Sequence, residues 1–310
     1  MGVISFSVKA ESARFYAYLA FWGMCAFAIV MAKTLVAPLL AAGPAVAGDT
    51  CGPFNRDWEE GGVVKGEGFD FATQSHLQQL FGFKNICANW DYSPSRELTA
   101  MVYPTFEYLL LIYLVLDFWT TKIHYNNGMG VLPEWFWKAS CVIFSINIFL
   151  CAQFRMIFVC IAYENVKQHT AGFLGLQVAL FLIAIQNSAF LYYTESGFLA
   201  DSVAATRTAN IVYLCGLIPI SITKIIATIY VVQNGYGAPW TLKLIAPNFA
   251  VGQLVDLIWM IFNAICPLII SFIRSKNEEP LVISISQAPE GGAAASETDP
   301  LKNGEEATYA

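Results

Sequence analysis

Six long apolar stretches constrain this 310-residue chain more than any other feature of its sequence. Each is long enough to cross the hydrocarbon core of a bilayer, which takes about 20 apolar residues in a helix. They cover residues 15–40, 100–119, 139–163, 171–193, 208–232 and 247–273. Only 13% of the residues are charged, against about 25% in an average soluble domain. The sequence therefore predicts an integral membrane protein.

The short connections between most of these stretches predict how the helices are arranged. Helices joined by few residues run antiparallel to each other, so the predicted fold class is all-α, a polytopic six-transmembrane-helix bundle. Lys and Arg residues are slightly more frequent on the side of the N-terminus, which favours a cytosolic N-terminus. Because six is an even number of spans, we predict an N-in, C-in topology.

The remaining segments complete the predicted domain organisation. Residues 1–14 form a cytosolic N-terminus, and residues 15–273 form the six-span domain with a luminal or extracellular loop at 41–99. The tail at 274–310 is polar and acidic and is predicted to be disordered and cytosolic. Residues 45–47 resemble a signal-peptidase site, but the apolar run before them is longer than the 7–15 residues of a signal peptide. This length favours a retained first span over a cleaved signal peptide.

The cysteines and basic residues exclude some classes of function. Cys51 and Cys87 both lie in the long loop, and a disulfide between them would place that loop on an oxidising side of the membrane. The sequence alone leaves open whether they are bonded. No cysteine or histidine spacing is typical of a metal site, and no cofactor is predicted. The absence of a basic cluster argues against a nucleic-acid partner.

Charged residues inside the predicted spans are the strongest functional signal. An ionised side chain in a membrane span costs roughly 2.5–3.5 kcal/mol, so such residues are generally paired or functional. Counted from the outer ends of the spans at about 1.5 Å per residue, six polar side chains fall roughly 9–14 Å below one surface. They are Lys33, Glu107, Arg155, Gln177, Lys224 and Asp256.

The signs of these charges predict that the side chains face inward and pair. Glu107 and Arg155 are the first expected pair, because their helices are neighbours in sequence. Three interpretations stay open: structural pairs that hold the bundle together, an outer pocket for a lipid headgroup or small solute, and a pathway for protons or ions. The surplus of positive charge would favour an anion such as a phosphate in a pocket. Motifs typical of nucleophilic, metal-dependent or nucleotide-dependent catalysis are absent from the sequence, so no enzyme is predicted.

Two short motifs resemble those of the DRAM-like family of six-span proteins, which includes damage-regulated autophagy modulators. The first loop ends in "ICANWDYSPSREL", where Asp91, Pro94 and Glu97 match the family's Asp–Pro–Glu stretch. The stretch "YENVKQHTAGFLGLQ" is similar to the family's connection between the third and fourth spans, with Asn165 and His169 at the matching positions. These four polar residues are expected at the outer lip of the bundle. His169 is placed there by the sequence as well, where it would cap the fourth helix or titrate.

The resemblance implies a non-enzymatic membrane regulator in the endolysosomal system, with a role in autophagy at the lysosome, or in the plasma membrane. Combined with the polar side chains in the spans, it predicts a lipid-recognising or membrane-organising protein. Its expected partners are membrane lipids with an anionic headgroup, while partners of the tail stay undefined. The alternative is a transporter or channel that moves a small anion or protons through the same polar layer.

Overall fold

The computed structural model describes residues 3–38, 86–126, 132–160, 165–194, 202–234 and 249–286. Within these ranges, six helical segments are long and apolar enough to cross a membrane, and we number them span one to span six. Their bounds are Ala10–Val36, Ser95–Asn126, Glu134–Val159, Lys167–Thr194, Val203–Tyr230 and Leu254–Asn277. The predicted all-α, six-span fold class is confirmed, and the N-in, C-in topology stays a prediction.

Three spans consist of one α-helix each, and the other three contain local interruptions or additions. The α-helices are α1 (Ala10–Met31), α2 (Ser95–Asn126), α3 (Glu134–Gln153), α4 (Met156–Val159), α5 (Val166–Thr194), α6 (Val203–Asn234), α7 (Phe249–Met260) and α8 (Cys266–Asn277). π-helical turns at Ala32–Val36 and Ile261–Ile265 lie in spans one and six, and a 3₁₀ turn at Ile86–Trp90 precedes span two. Span three is interrupted between α3 and α4 by a turn at residues 154–155.

Small side chains allow span one to pack closely against spans two and six. Ala17, Ala28 and Ala32 on span one are completely buried. Lipid gives helices no hydrophobic reason to associate, so close packing of small residues contributes much of their cohesion. Between spans two and three, the rings of Tyr103 and Phe154 lie 5.5 Å apart, centre to centre. These contacts fix the rotation of the first three spans and the direction of their polar side chains.

Two short strands lie outside the helical bundle. They are β1 (Val3–Val8) and β2 (Leu281–Ser286), which form a two-stranded sheet in a unit separate from the bundle. The hydroxyl oxygens of Ser5 and Ser284 are 2.9 Å apart across the sheet. The prediction of disorder from residue 274 onward is therefore wrong for the described part of the tail. That part contains the end of span six and a strand.

Some predictions fall on residues that the structure does not describe. Cys51, the Ala-Val-Ala sequence at 45–47 and the tail beyond residue 286 lie outside the described ranges. The disulfide prediction and the choice between a retained span and a signal peptide are therefore untested. The observed span one begins at Ala10, five residues before the predicted start, so residues assigned to the cytosolic N-terminus form its first turns.

Candidate functional site

Glu107 and Arg155 form an ion pair between spans two and three. The Arg155 Nε donates to both carboxylate oxygens of Glu107, at 2.7 and 3.0 Å. The Glu107 side chain is 2% exposed, whereas the Arg155 side chain is 56% exposed. The pairing expected from the sequence is present, but the expectation that both side chains face the interior is wrong for Arg155.

Arg155 reaches the surface of the bundle because span three is interrupted there. The residue belongs to the turn between α3 and α4 and lies four positions before Val159, at the end of the span. Val159 is 72% exposed and lies about one helical turn beyond Arg155. Among the described residues, the structure gives the Arg155 Nη1 and Nη2 no hydrogen-bond acceptor. The guanidinium therefore presents two donor groups at an apolar surface near the end of a span.

Lys224 and Asp256 form a second ion pair, deep between spans five and six. The Lys224 Nζ donates to Asp256 Oδ1, and the side chains are only 2% and 10% exposed. Gln177 on span four lies beside this pair, because Thr228 donates to Gln177 Oε1 at 3.0 Å and to the Lys224 carbonyl oxygen at 2.9 Å. The Nε2 of Gln177 is buried and has no hydrogen-bond partner among the described residues. Spans four, five and six thus share a buried polar cluster.

Lys33 does not belong to either pair. Its side chain is exposed in the π-helical turn of span one, so the prediction that it points into the bundle is wrong. A single inward layer of five charges is therefore not what the structure contains. The charges are arranged as two pairs, one at the surface and one buried, with Lys33 outside both.

The segment before span two is folded tightly around Arg96. Its Nη1 donates to the Asp91 carbonyl oxygen at 3.0 Å, and its Nη2 donates to Glu97 Oε1 at 2.7 Å. Ser93 donates to the same Glu97 oxygen at 2.6 Å. Cys87 lies one turn earlier, within electrostatic range of both Asp256 and Lys224. Cys87, at the start of this segment, therefore lies near the buried pair, whereas the Glu97 side chain is half exposed.

Asn165 and His169 have different roles at the start of span four. The Asn165 side chain accepts a hydrogen bond from the Gln168 backbone N–H at 3.2 Å, so Asn165 caps the helix. His169 is buried, and its Nδ1 lies 2.8 Å from the Cys160 carbonyl oxygen. This contact joins the start of span four to the end of span three. The sequence left open that His169 caps the fourth helix. In the structure Asn165 performs that capping.

A third group of charges, at the opposite end of the bundle, was missed by sequence reasoning. Glu11 on span one contacts Arg14 at 3.5 Å and also forms an ion pair with Arg274 on span six. Both guanidiniums donate to Asn187 Oδ1 on span four, at 3.1 and 3.0 Å. Glu278 accepts the Glu11 backbone N–H at 2.8 Å. We call these five residues the terminal clamp.

The sequence contains one signal that could have indicated the terminal clamp. Glu11 and Arg14 are three residues apart, immediately before an apolar run, and side chains with this spacing lie on one helical face. Both were assigned to the N-terminus outside the membrane, because charge was taken as the boundary of the span. Their partner Arg274 is far away in sequence, so no local pattern shows that the charges are neutralised.

The described residues offer little for metal-dependent chemistry. Within the described ranges, no group of three or more His, Cys, Asp or Glu side chains is arranged to hold a metal ion. The polar contacts found there are ion pairs and helix-to-helix hydrogen bonds. The sequence matches no protein-family model, no curated protein and no solved structure. The resemblance to the DRAM-like family therefore stays a prediction.

Proposed function

We propose that this chain is a non-enzymatic membrane protein that recognises phospholipid, and that Arg155 provides the contact to an anionic headgroup. The observation that carries the proposal is the position of the Arg155 guanidinium. It is 56% exposed at an apolar surface and held by a carboxylate that is almost fully buried. Glu107 compensates the charge of Arg155, but the Nη donors in that place still need an acceptor such as a phosphate oxygen or water, because exposing them to acyl chains is unfavourable.

The depth of Arg155 fits a lipid phosphate. Four residues of helix separate it from the end of span three, which corresponds to about 6 Å along the helix axis. A long Arg side chain covers such a distance by extending toward the headgroups. Guanidinium and phosphate form two parallel hydrogen bonds, and Nη1 and Nη2 are the donors that Glu107 leaves available.

Glu107 positions the guanidinium in this proposal. It binds the Nε through both carboxylate oxygens, which leaves the Nη groups free of any bond to Glu107. The exposed Tyr108 lies within electrostatic range of Arg155 and offers a hydroxyl on the neighbouring span. The resemblance to the DRAM-like family supports an endolysosomal or plasma-membrane location for such a lipid contact.

The test is the amount of anionic phospholipid that the protein retains. The purified full chain is equilibrated with mixed vesicles of phosphatidylcholine and phosphatidic acid, and bound lipid is counted by native mass spectrometry. We expect Arg155→Ala to bind phosphatidic acid about tenfold more weakly, since two charge-assisted hydrogen bonds are lost. Arg155→Lys should be intermediate, because it retains the charge without the planar fork.

The matched control is Lys138→Ala, which removes an exposed cation from the other end of span three. It should leave phosphatidic acid binding unchanged. Equal binding by Arg155→Ala and the unaltered protein, with both correctly folded, would contradict the proposal. Equal loss in the Lys138 variant would indicate general charge attraction instead of a specific headgroup contact.

A second candidate, transport of a small anion or protons, is favoured by the cluster around Lys224. A buried ion pair beside the unpartnered Nε2 of Gln177 is an arrangement that an ion or water molecule could use. Transport predicts flux in proteoliposomes that the double variant Lys224→Met/Asp256→Leu, which leaves no unpaired buried charge, abolishes and that Arg155→Ala preserves. Lipid recognition predicts the reverse dependence of lipid binding on these two variants, so the same pair of variants separates both functions.

A further inference from the structure

The terminal clamp joins the first span to the last one. Glu11 lies 2% exposed between the guanidiniums of Arg14 and Arg274, and the Arg14 side chain is equally buried. Lys9, just before span one, strengthens the junction by donating to the Ser275 carbonyl oxygen at 2.8 Å. The start of span one is thus bound to the end of span six by ion pairs and by hydrogen bonds that involve side chains.

Glu278 provides a capping hydrogen-bond acceptor at the start of span one. Lys9 occupies the N-cap position and makes no capping hydrogen bond. The first N–H groups of a helix need acceptors from elsewhere, and the Glu278 carboxylate accepts the Glu11 N–H at 2.8 Å. The cap of the first span therefore comes from a residue more than 260 positions later in the chain.

The acids in this region outnumber the guanidiniums. Asp117 on span two lies within electrostatic range of Glu11, Arg14 and Arg274, and accepts a hydrogen bond from Gln186 at 3.0 Å. The region thus contains three carboxyl groups, those of Glu11, Asp117 and Glu278, and two guanidiniums. A buried carboxylate without a full counter-charge is unfavourable, and binding a proton removes the excess charge.

A cleft connects this region with the outside of the protein. It has a volume of about 310 Å³ and is lined by Thr120, His124, Phe190, Arg274, Asn277, Glu278 and Glu279. Glu278 therefore contacts the buried start of span one and also lies at the wall of an opening. Protons can reach it without passing through the packed helices.

We propose that Glu278 is a proton-exchanging group reached through this cleft, and that release of its proton loosens the terminal clamp. This inference goes beyond lipid recognition and does not depend on it. Burial, together with the charge of Glu11, raises the pKa of the Glu278 carboxyl to about 7, although hydrogen bonds from the start of span one oppose this.

Several other charged groups face the same region. Glu279, His124 and Arg274 line the cleft with Glu278, and the charge of Arg274 opposes the rise in the Glu278 pKa. None of them accepts the Glu11 N–H in the structure, which is the bond that joins Glu278 to span one. Glu278 is thus the carboxyl whose titration acts directly on the start of span one.

The direction of the pH effect follows from the raised pKa. In the closed clamp Glu278 holds its proton up to about pH 7. In an opened clamp the pKa of its carboxyl returns toward the ordinary value of 4.5. Between these values the closed state binds a proton that the open state has released. Opening is therefore suppressed below the lower value, increases by up to about tenfold per pH unit between the two, and levels off above about pH 7.

The experiment compares the full-length protein with Glu278→Gln, which imitates the protonated carboxyl at every pH. Infrared spectroscopy should detect a carboxyl band that titrates near pH 7 and is absent from this variant. Hydrogen exchange of the Glu11 amide reports opening directly. The exchange rate of the unaltered protein divided by that of the variant cancels the intrinsic pH dependence, and this ratio should rise and then level off as described.

Glu279→Gln is the matched control, because it removes the neighbouring carboxyl and should preserve both signals. A titrating band that persists in Glu278→Gln, or an exchange ratio that does not change with pH, would overturn the proposal. If the Gln variant fails to fold, Glu278→Asp replaces it. The shorter side chain should weaken the bond to the Glu11 N–H and shift the midpoint, and an unchanged midpoint would equally overturn the proposal.

Discussion

The buried pair of Lys224 and Asp256 illustrates what a membrane-embedded charge requires from its neighbours. Each side chain has lost nearly all contact with solvent, and each compensates the other directly. Removing two charges from water is so unfavourable that such a pair adds little stability by itself. Removing only one member is different, because the remaining charge is then buried without a partner.

We predict from this asymmetry that Lys224→Met lowers the free energy of unfolding by about 3–5 kcal/mol. The double variant Lys224→Met/Asp256→Leu should recover most of the loss, because it buries no uncompensated charge. Unfolding in mild detergent, followed by circular dichroism, measures both values. A double variant as unstable as the single one would contradict the argument.

An exposed ion pair provides the control. Lys138 and Glu134 lie 2.8 Å apart, but their side chains are 73% and 68% exposed. Exposed pairs contribute little because solvent screens them. Lys138→Met should therefore leave the unfolding transition where it is in the unaltered protein.

Single residues also show how far the sequence could predict the site. The pairing of Glu107 with Arg155 follows from opposite signs at similar depths on neighbouring spans, and both properties can be counted along the chain. Counting residues along the chain could not predict the exposure of Lys33, because it depends on the rotation of span one and on a π-helical turn at that residue. Depth is therefore easier to predict from sequence than facing direction.

At the scale of elements, the approach of span five to span six depends on one glycine. A Cβ atom on Gly216 would overlap the ring of Phe262, which lies in the π-helical turn of span six. The same ring packs against Tyr213 at a centroid distance of 6.1 Å, and the Tyr213 hydroxyl donates to the Phe262 carbonyl oxygen at 2.9 Å. The absent side chain of Gly216 leaves the space that this ring occupies.

We therefore predict that Gly216→Ala destabilises the protein by about 1–3 kcal/mol, the usual effect of excess volume in a packed contact. The ring of Phe262 must move, and the bond from Tyr213 should weaken with it. Thermal unfolding in detergent measures the stability. Cross-linking efficiency between spans five and six reports the change of their contact.

Gly23 is the matched control for this substitution. An added Cβ there has no other heavy atom within 4 Å, so no clash arises. Gly23→Ala should be neutral or stabilising by up to about 1 kcal/mol, because alanine favours helix more than glycine does. Equal destabilisation by both variants would attribute the effect to helix flexibility and not to Phe262.

The same scale explains which boundaries the sequence predicted well. The six spans of the described residues were all predicted, because long apolar runs leave few alternatives. The start of span one was placed too late because Glu11 and Arg14 resemble residues in water, although their charges are neutralised by span six and within span one. The strands were missed because each is only six residues long, and each acquires a partner from the other end of the chain.

At the scale of the whole molecule, the pairing of β1 with β2 constrains the topology. β1 precedes span one and β2 follows span six, so their pairing requires both ends of the membrane domain on the same side. The even number of spans found in the described residues satisfies that requirement independently. The two observations agree without identifying which side is cytosolic.

We predict that Ser5→Cys/Ser284→Cys forms a disulfide under mild oxidation. The two hydroxyl oxygens are 2.9 Å apart although 279 positions separate the residues, so replacement sulfur atoms should come within bonding reach. Mass spectrometry of proteolytic peptides identifies the linked pair among the native cysteines. Ser7→Cys/Ser284→Cys, with the first cysteine two positions along the strand, should cross-link much less.

The same two cysteines, introduced singly, determine the topology. A membrane-impermeant maleimide should label Ser5→Cys and Ser284→Cys from one side only, and from the same side. Labelling in inside-out vesicles but not in intact cells would support the N-in, C-in prediction, and the opposite result would invert it. Labelling of the two positions from opposite sides would contradict the strand pairing itself, since hydrogen-bonded strands cannot lie on different sides of a bilayer.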